Sequence, residues 1–223
     1  MRRHHVAAAM SGPLMTAVSG TIVPASATGG VCSGIDNCRV VDAKDVDGDN
    51  RRDQVGFVIE SEDRVVVRVK TASGRTLRRG LNTSSWPDSH YQGAARIDGR
   101  SGVEIVVGTS AGAHTLFFTT LSYRAGGLVR QNAPGRGREW VVDASYSFVV
   151  GIKRRIEHGR AVVVLKDAVR DGGGSRFAGR NRAFVWRGGA WRHQSTARKH
   201  YRNLRHANQI GGWQVRGLPR WPF

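Results

Sequence analysis

Asp45-Val46-Asp47-Gly48-Asp49-Asn50-Arg51-Arg52-Asp53, running straight into Gln54-Val55-Gly56-Phe57-Val58-Ile59, is the stretch on which the reading of this chain turns. Four carboxylates fall at near-alternating positions around Gly48 within nine residues. Like charges packed this closely are unfavourable unless a cation sits among them. Oxygen ligands at this density suit a hard cation taking about six to eight oxygens, of which Ca²⁺ is the usual one. Gly48 lets the backbone turn where a side chain would obstruct it. The apolar run after Asp53 is short and carries β-branched residues, which predicts a strand.

The loop is not an EF-hand. Counting from Asp45, the sixth position is Asn50 where that motif needs Gly, and the twelfth is Gly56 where it needs a bidentate Glu. A D-x-D-G-D-x-x-x-D loop opening into a strand instead resembles the calcium loop of FG-GAP or VCBS-type repeats, the blade units of integrin-like β-propellers. The resemblance implies metal ligands at Asp45, Asp47, Asp49 and Asp53, with the backbone carbonyl of Arg51. A solvated acidic turn is the alternative.

The motif returns in altered form 51 residues on, at Ala94-Ala95-Arg96-Ile97-Asp98-Gly99-Arg100 followed by Glu104. In that register Val46 meets Ile97, Asp47 meets Asp98, Gly48 meets Gly99, Asp53 meets Glu104 and Val55 meets Val106. Asp45 and Asp49 become Arg96 and Arg100. Recurrence at this period predicts repeated supersecondary units. Arg96 or Arg100 is expected to neutralise Asp98 and Glu104, doing by ion pair what the cation does in the first copy.

Outward from these loops the chain reads as all-β: an antiparallel meander of two to three propeller-blade-like units. Arg64 to Lys70 alternates, Val103 to Val107, His114 to Leu121 and Leu128 to Gln131 follow, and Gly126-Gly127 is a hairpin turn. Ser145 to Ile152, Ala161 to Leu165, Arg182 to Trp186 and Ala190 to His193 are strands of a weaker third unit without a recognisable acidic loop. Residues 80–92 read as a loop. The organisation expected is a β-repeat domain over 42–195, with units at about 42–92, 93–140 and 141–195, and a basic, aromatic tail over 196–223. No amphipathic helix of ordinary length stands out in the mature chain. Three such units are too few for a six- or seven-bladed ring, leaving a partial or small propeller-like fold, or rings formed between chains. The resemblance covers about residues 42–135; the whole chain also resembles small secreted bacterial proteins of this repeat class.

Residues 1–27 have the pattern of a secretory signal peptide with a signal helix. Arg2, Arg3, His4 and His5 start it, Val6 to Val23 carries no charge, and Ala25-Ser26-Ala27 gives an A-x-A site with cleavage after Ala27. An uncleaved anchor is the alternative. No later stretch is long and apolar enough for a transmembrane helix. Export makes the setting oxidising, and Cys32 and Cys38, in the segment 28–41, are expected to form a disulfide; free thiols or intermolecular pairing are the alternatives.

The formal charge is +18, falling to +16 without Arg2 and Arg3, and arginine supplies nearly all of it. Such a surface attracts nucleic acid, anionic wall polymers or acidic headgroups, although arginine for lysine throughout equally fits a G+C-rich genome. Gly108-Thr109-Ser110-Ala111-Gly112 fits the G-x-S-x-G nucleophile elbow, but the sequel reads as a strand where that elbow needs a helix. His90, His114, His158, His193, His200 and His206 show no metal spacing, and His114 reads as a packed or half-buried strand residue rather than a catalytic base. Asp167 and Asp171 stand beside an arginine-rich turn with nothing to place them across a cleft. Trp186, Trp191, Trp213 and Trp221 among arginines read as alternating strand faces, with base or sugar stacking as the alternative.

The expected protein is therefore a secreted, calcium-binding β-repeat module with no catalysis of its own, holding an extracellular glycan, wall polymer or protein. A secreted hydrolase with an unrecognised cleft and a binder of nucleic acid or other polyanions are the alternatives. Export argues against an intracellular nucleic-acid role.

Overall fold

A computed structural model describes residues 29–135 and 137–221. The signal peptide read over 1–27 lies outside the described residues. The chain is antiparallel β almost throughout.

Strands β1 (Cys38–Lys44), β2 (Asp53–Ser61), β3 (Arg64–Lys70) and β4 (Thr76–Asn82) form a four-stranded meander in chain order. Then β5 (Tyr91–Ala95), β6 (Glu104–Ala111), β7 (Thr115–Arg124) and β8 (Gly127–Gln131) follow as a second meander. The ten-stranded sheet that contains them continues through β9 (Trp140–Ala144), β10 (Phe148–Glu157), β11 (Arg160–Arg170), β12 (Phe177–Arg187) and β13 (Ala190–Tyr201). The continuation is possible because β7 is long. Its second half, Thr120–Arg124, pairs β8, while its first half, Thr115–Phe118, pairs β9. The short helix α1 (Leu204–Asn208) and β14 (Gly212–Gln214), which pairs β10 in parallel, close the chain back onto the sheet.

Alternation dictates the packing. On β6, Ile105 and Val107 face one core while Val106 faces the other, so a strand buried on both sides reads as a continuous apolar run. The first core joins Val55, Phe57, Val65, Val67 and Val69 of the first meander to Ile105, Val107, Leu121 and Leu128 of the second. The second core joins Ile97, Val106 and Phe118 to Trp140, Ile152, Val163 and Trp213. The β5–β8 region thus lies between two cores.

Cys32 and Cys38 form the expected disulfide, with Cα atoms 5.3 Å apart. The strand expected at Arg64–Lys70 has those bounds. Three expectations need correction. The strand placed at Ala190–His193 runs on to Tyr201 because β12 pairs it throughout, so a tail starting at residue 196 begins inside β13. The loop read over 80–92 contains the end of β4 and the start of β5. His114 is exposed in the turn before β7 rather than packed.

Candidate metal centre

The acidic loop bridges β1 and β2, and Asp53 is the first residue of β2. Asp53 is fully buried. Its Oδ2 accepts from the amides of Val46 at 2.7 Å and Asp47 at 3.2 Å, and its Oδ1 accepts from Ala72 at 2.8 Å. One carboxylate therefore ties the start of the loop to the β3–β4 turn.

The other three carboxylates curl the loop around themselves. Asp45 Oδ1 accepts from the Gly48 amide at 2.7 Å and its Oδ2 from Asn50 at 3.2 Å. Asp47 Oδ1 accepts from Asp49 at 3.2 Å, and Asp49 Oδ1 from Arg51 at 2.8 Å. Gly48 and Asn50 adopt φ of 86° and 64°, which lets the turn close. The result gathers Asp45, Asp47 and Asp49 with one oxygen each within 4.8 Å of one another. Oxygens on opposite sides of a Ca²⁺ ion at about 2.4 Å stand about that far apart, so the donor set and its spacing fit a hard cation. Burial, reinforced by the charges of Asp53, Asp49 and Asp45 and opposed by the Asp49 amide, pushes the Asp47 carboxyl above its usual range. A cation here would remove that penalty.

The structure thus separates the five expected ligands by role. Asp45, Asp47 and Asp49 converge, and Asp53 spends both oxygens on amides. Arg51 lies at the loop's far end, its amide on Asp49 and its Nη2 donating to Ala72 O at 2.6 Å. The ion pair of Arg51 with Asp49, 3.9 Å apart and exposed, contributes little.

The second loop, between β5 and β6, repeats the skeleton. Glu104, first residue of β6, accepts on Oε2 from Ile97 N at 2.6 Å and Asp98 N at 3.3 Å, as Asp53 accepts from Val46 and Asp47. Asp98 Oδ1 accepts from Arg100 N at 2.8 Å, as Asp47 accepts from Asp49. Gly99 has φ of 83°. A Cβ on Gly48 would lie 2.6 Å from Ser101 Cβ, and one on Gly99 would lie 2.6 Å from Ala161 Cβ. Each loop glycine therefore admits close approach of the next part of the chain.

The charge balance differs between the loops. The guanidinium that serves Asp98 and Glu104 belongs to Arg124 at the end of β7, not to Arg96 or Arg100. Its Nη2 bonds Asp98 Oδ2 and lies 3.6 Å from Glu104 Oε1, and Gln131 Nε2 donates to Asp98 Oδ2 at 2.8 Å. Burial, then the charge of Asp98, pushes the Glu104 carboxyl up to about 7, against the pull of two amides and Arg124. Sequence reading missed Arg124 because strand pairing, not spacing along the chain, brings it here. The one signal was a charged end on an otherwise apolar strand.

The other sequence candidates do not converge. Ser110 lies within β6, at a bulge opposite Phe117, and the chain continues into β7 with no helix. Gly108 is explained by packing, since a Cβ there would meet the Trp86 indole at 2.2 Å. Asp167 is buried between Arg180 and Arg182, each 3.5 Å away, while Asp171 is exposed in a turn. Trp213 is buried with Trp140 in the second core; Trp186 and Trp191 form an edge-on pair 5.2 Å apart. No helix among the described residues is long and apolar enough to cross a membrane.

Compared with protein-family models, curated proteins and solved structures, the chain finds no match.

Proposed function

We propose that this chain is an exported, non-catalytic β-repeat module of the FG-GAP/VCBS kind. Its first loop holds one Ca²⁺ through Asp45, Asp47 and Asp49, with Asp53 fixing the loop and the Arg51 carbonyl completing the set. The single observation that carries this reading is the pair of loops. They share one carboxylate-to-amide skeleton at a spacing of 51 residues, yet the first gathers three carboxylates and the second is served by Arg124. Each meander is then a blade-like unit whose corner is closed by a cation in one case and by a guanidinium in the other. The module would act by presenting a rigid surface to an extracellular ligand. The test is direct calcium titration by calorimetry. One saturable site is expected, lost in Asp47→Ala/Asp49→Ala and retained in Asp98→Asn; a parent with no heat of binding removes the reading.

A second reading, polyanion binding, has one observation in its favour. The outer strand β13 is exposed almost throughout, and Arg198 on it stands directly opposite Arg180 of β12. Asp167 already serves Arg180, but no carboxylate among the described residues pairs Arg198, so a like charge faces Arg180 across the strands and an anion would relieve it. Retention of an oligonucleotide with a steep fall in added salt, reduced in Arg198→Ala, supports this reading, and salt-insensitive or absent retention removes it.

A further inference from the structure

Beside the second loop lies a pocket of about 290 Å³, lined by Arg100, Ser122, Arg124, Arg130, Gln131 and Trp186. It forms where the tip of the β12–β13 hairpin crosses β7 and β8. Trp191 on that hairpin donates from Nε1 to Asn132 O at 2.9 Å, and its ring holds Trp186 edge-on. The pocket wall is thus assembled from segments far apart in sequence and fixed by a hydrogen bond.

Four polar atoms of this wall have no protein partner: Ser122 Oγ, Arg124 Nε, Gln131 Oε1 and Trp186 Nε1. Ser122 and Gln131 are buried, at 1% and 3% exposure. Buried polar groups are nearly always paired, and four of the twelve such orphans among the described residues belong to the residues of this one small wall. The set is mixed. Arg124 Nε and Trp186 Nε1 only donate, Gln131 Oε1 only accepts, and Ser122 does either. Gln131 cannot turn to offer its amide instead, because Nε2 is committed to Asp98.

That mixture selects a ligand class. Three guanidiniums line the pocket and favour an anion, while Asp98 and Glu104 against Arg124, and Glu139 against Arg130, offset most of that charge and leave Arg100 with no carboxylate partner among the described residues. The balance suits one negative charge rather than several. An inorganic anion without a hydroxyl, such as sulfate, would leave the Gln131 carbonyl facing an acceptor, so the ligand must also carry hydroxyl donors. The volume lies just under the usual range for small-molecule pockets, about 300–1,000 Å³, so it has room for no more than a single ring. The Trp186 indole offers the apolar surface against which a sugar face stacks.

We propose that this pocket binds one acidic sugar residue, a uronate, with its carboxylate on Arg100 and Arg130, its hydroxyls on Ser122 and Gln131, and its ring on Trp186. The proposal names the ligand class of the binding-module reading and rests on that part of it, not on calcium. Small rotations of the wall side chains are needed to bring the orphan atoms into contact, because each is closed to solvent.

The test is tryptophan fluorescence and calorimetric titration of the full chain with glucuronate, galacturonate, glucose and inorganic sulfate, each in EDTA and in millimolar Ca²⁺. One uronate should bind saturably, with glucose and sulfate at least about tenfold weaker. Ser122→Ala and Arg130→Gln should each weaken uronate about tenfold or more while the melting temperature stays near that of the parent. Sulfate binding as well as uronate overturns the proposal, leaving an unselective anion pocket. Failure of either uronate to saturate the folded protein at tens of millimolar, or binding unchanged in both variants, overturns it too. The two buffers separate the claims. Uronate binding with no calcium effect sinks the metal site alone, and a calcium effect without uronate binding sinks the pocket alone.

Discussion

Asp53 and Glu104 hold equivalent places. Each is the first residue of a strand, each is buried, and each accepts on one oxygen from the two consecutive amides that open the preceding loop. A carboxylate in this position replaces the strand partner those amides cannot find within a loop. It also fixes the loop's entry, so that the residues following can converge.

Asp53 should be among the costliest positions bordering the loop to change. Asp53→Ala strands three amides, on Val46, Asp47 and Ala72, each worth ~1–3 kcal/mol when buried without a partner. The expected loss is ~3–5 kcal/mol in urea unfolding, with a smaller loss for Asp53→Asn, which keeps an acceptor. A loss under ~1 kcal/mol for Asp53→Ala would show that water satisfies these amides instead.

Arg124→Met should leave Asp98 and Glu104 buried without a cation, at a cost of ~3–5 kcal/mol near neutral pH. The loss should shrink on acidification, as Glu104 protonates. Adding Asp98→Asn and Glu104→Gln to Arg124→Met should recover most of the stability. If the triple variant is no more stable than Arg124→Met, the guanidinium acts through packing rather than charge.

Glu104 sets a pH dependence of its own. Its folded-state pKa is raised from 4.5 to about 7, mainly by burial. The folded protein therefore holds the proton more tightly than the unfolded chain does. That contribution is fully present below about pH 4.5 and is lost as pH rises through about 7. At ~1.4 kcal/mol per unit it amounts to ~3 kcal/mol. Denaturant curves between pH 5 and 8 should show this fall in the parent, and Glu104→Gln should flatten it. Equal slopes in both proteins would assign the dependence elsewhere.

Reduction of Cys32–Cys38 should cost about 2 kcal/mol, the chain-entropy value for so small a loop. Cys38 stands at the end of β1 remote from the acidic loop, so the response to calcium should survive reduction. Loss of that response on reduction would mean that β1 must be tethered for the loop to form.

Much of the fold was legible because the strands alternate cleanly: Val65, Val67 and Val69 point into one core and specify β3 without help. The 51-residue echo was legible too, since Asp53 and Glu104 keep their spacing to the loops they cap. What was hidden depends on pairing between distant segments. Arg124 reaches Asp98 only because β6 and β7 pair in one register, and nothing local to Arg124 says so. The exposed length of β13 was read as a tail because its charged residues carry no alternation, yet β12 pairs it to Tyr201. The orphan atoms around Trp186 are a property of three strands and a hairpin tip together, which no window of sequence contains.

The measurement closest to the central claim is differential scanning calorimetry in millimolar Ca²⁺ and in EDTA, on the parent and on Asp47→Ala/Asp49→Ala. Ligand at ~100 times its dissociation constant stabilises by ~2.7 kcal/mol. For a chain of this size that corresponds to a rise of ~5–10 °C in Tm for the parent. The double variant should melt at one temperature in both buffers. A parent whose Tm is the same with calcium and with chelator would contradict the account.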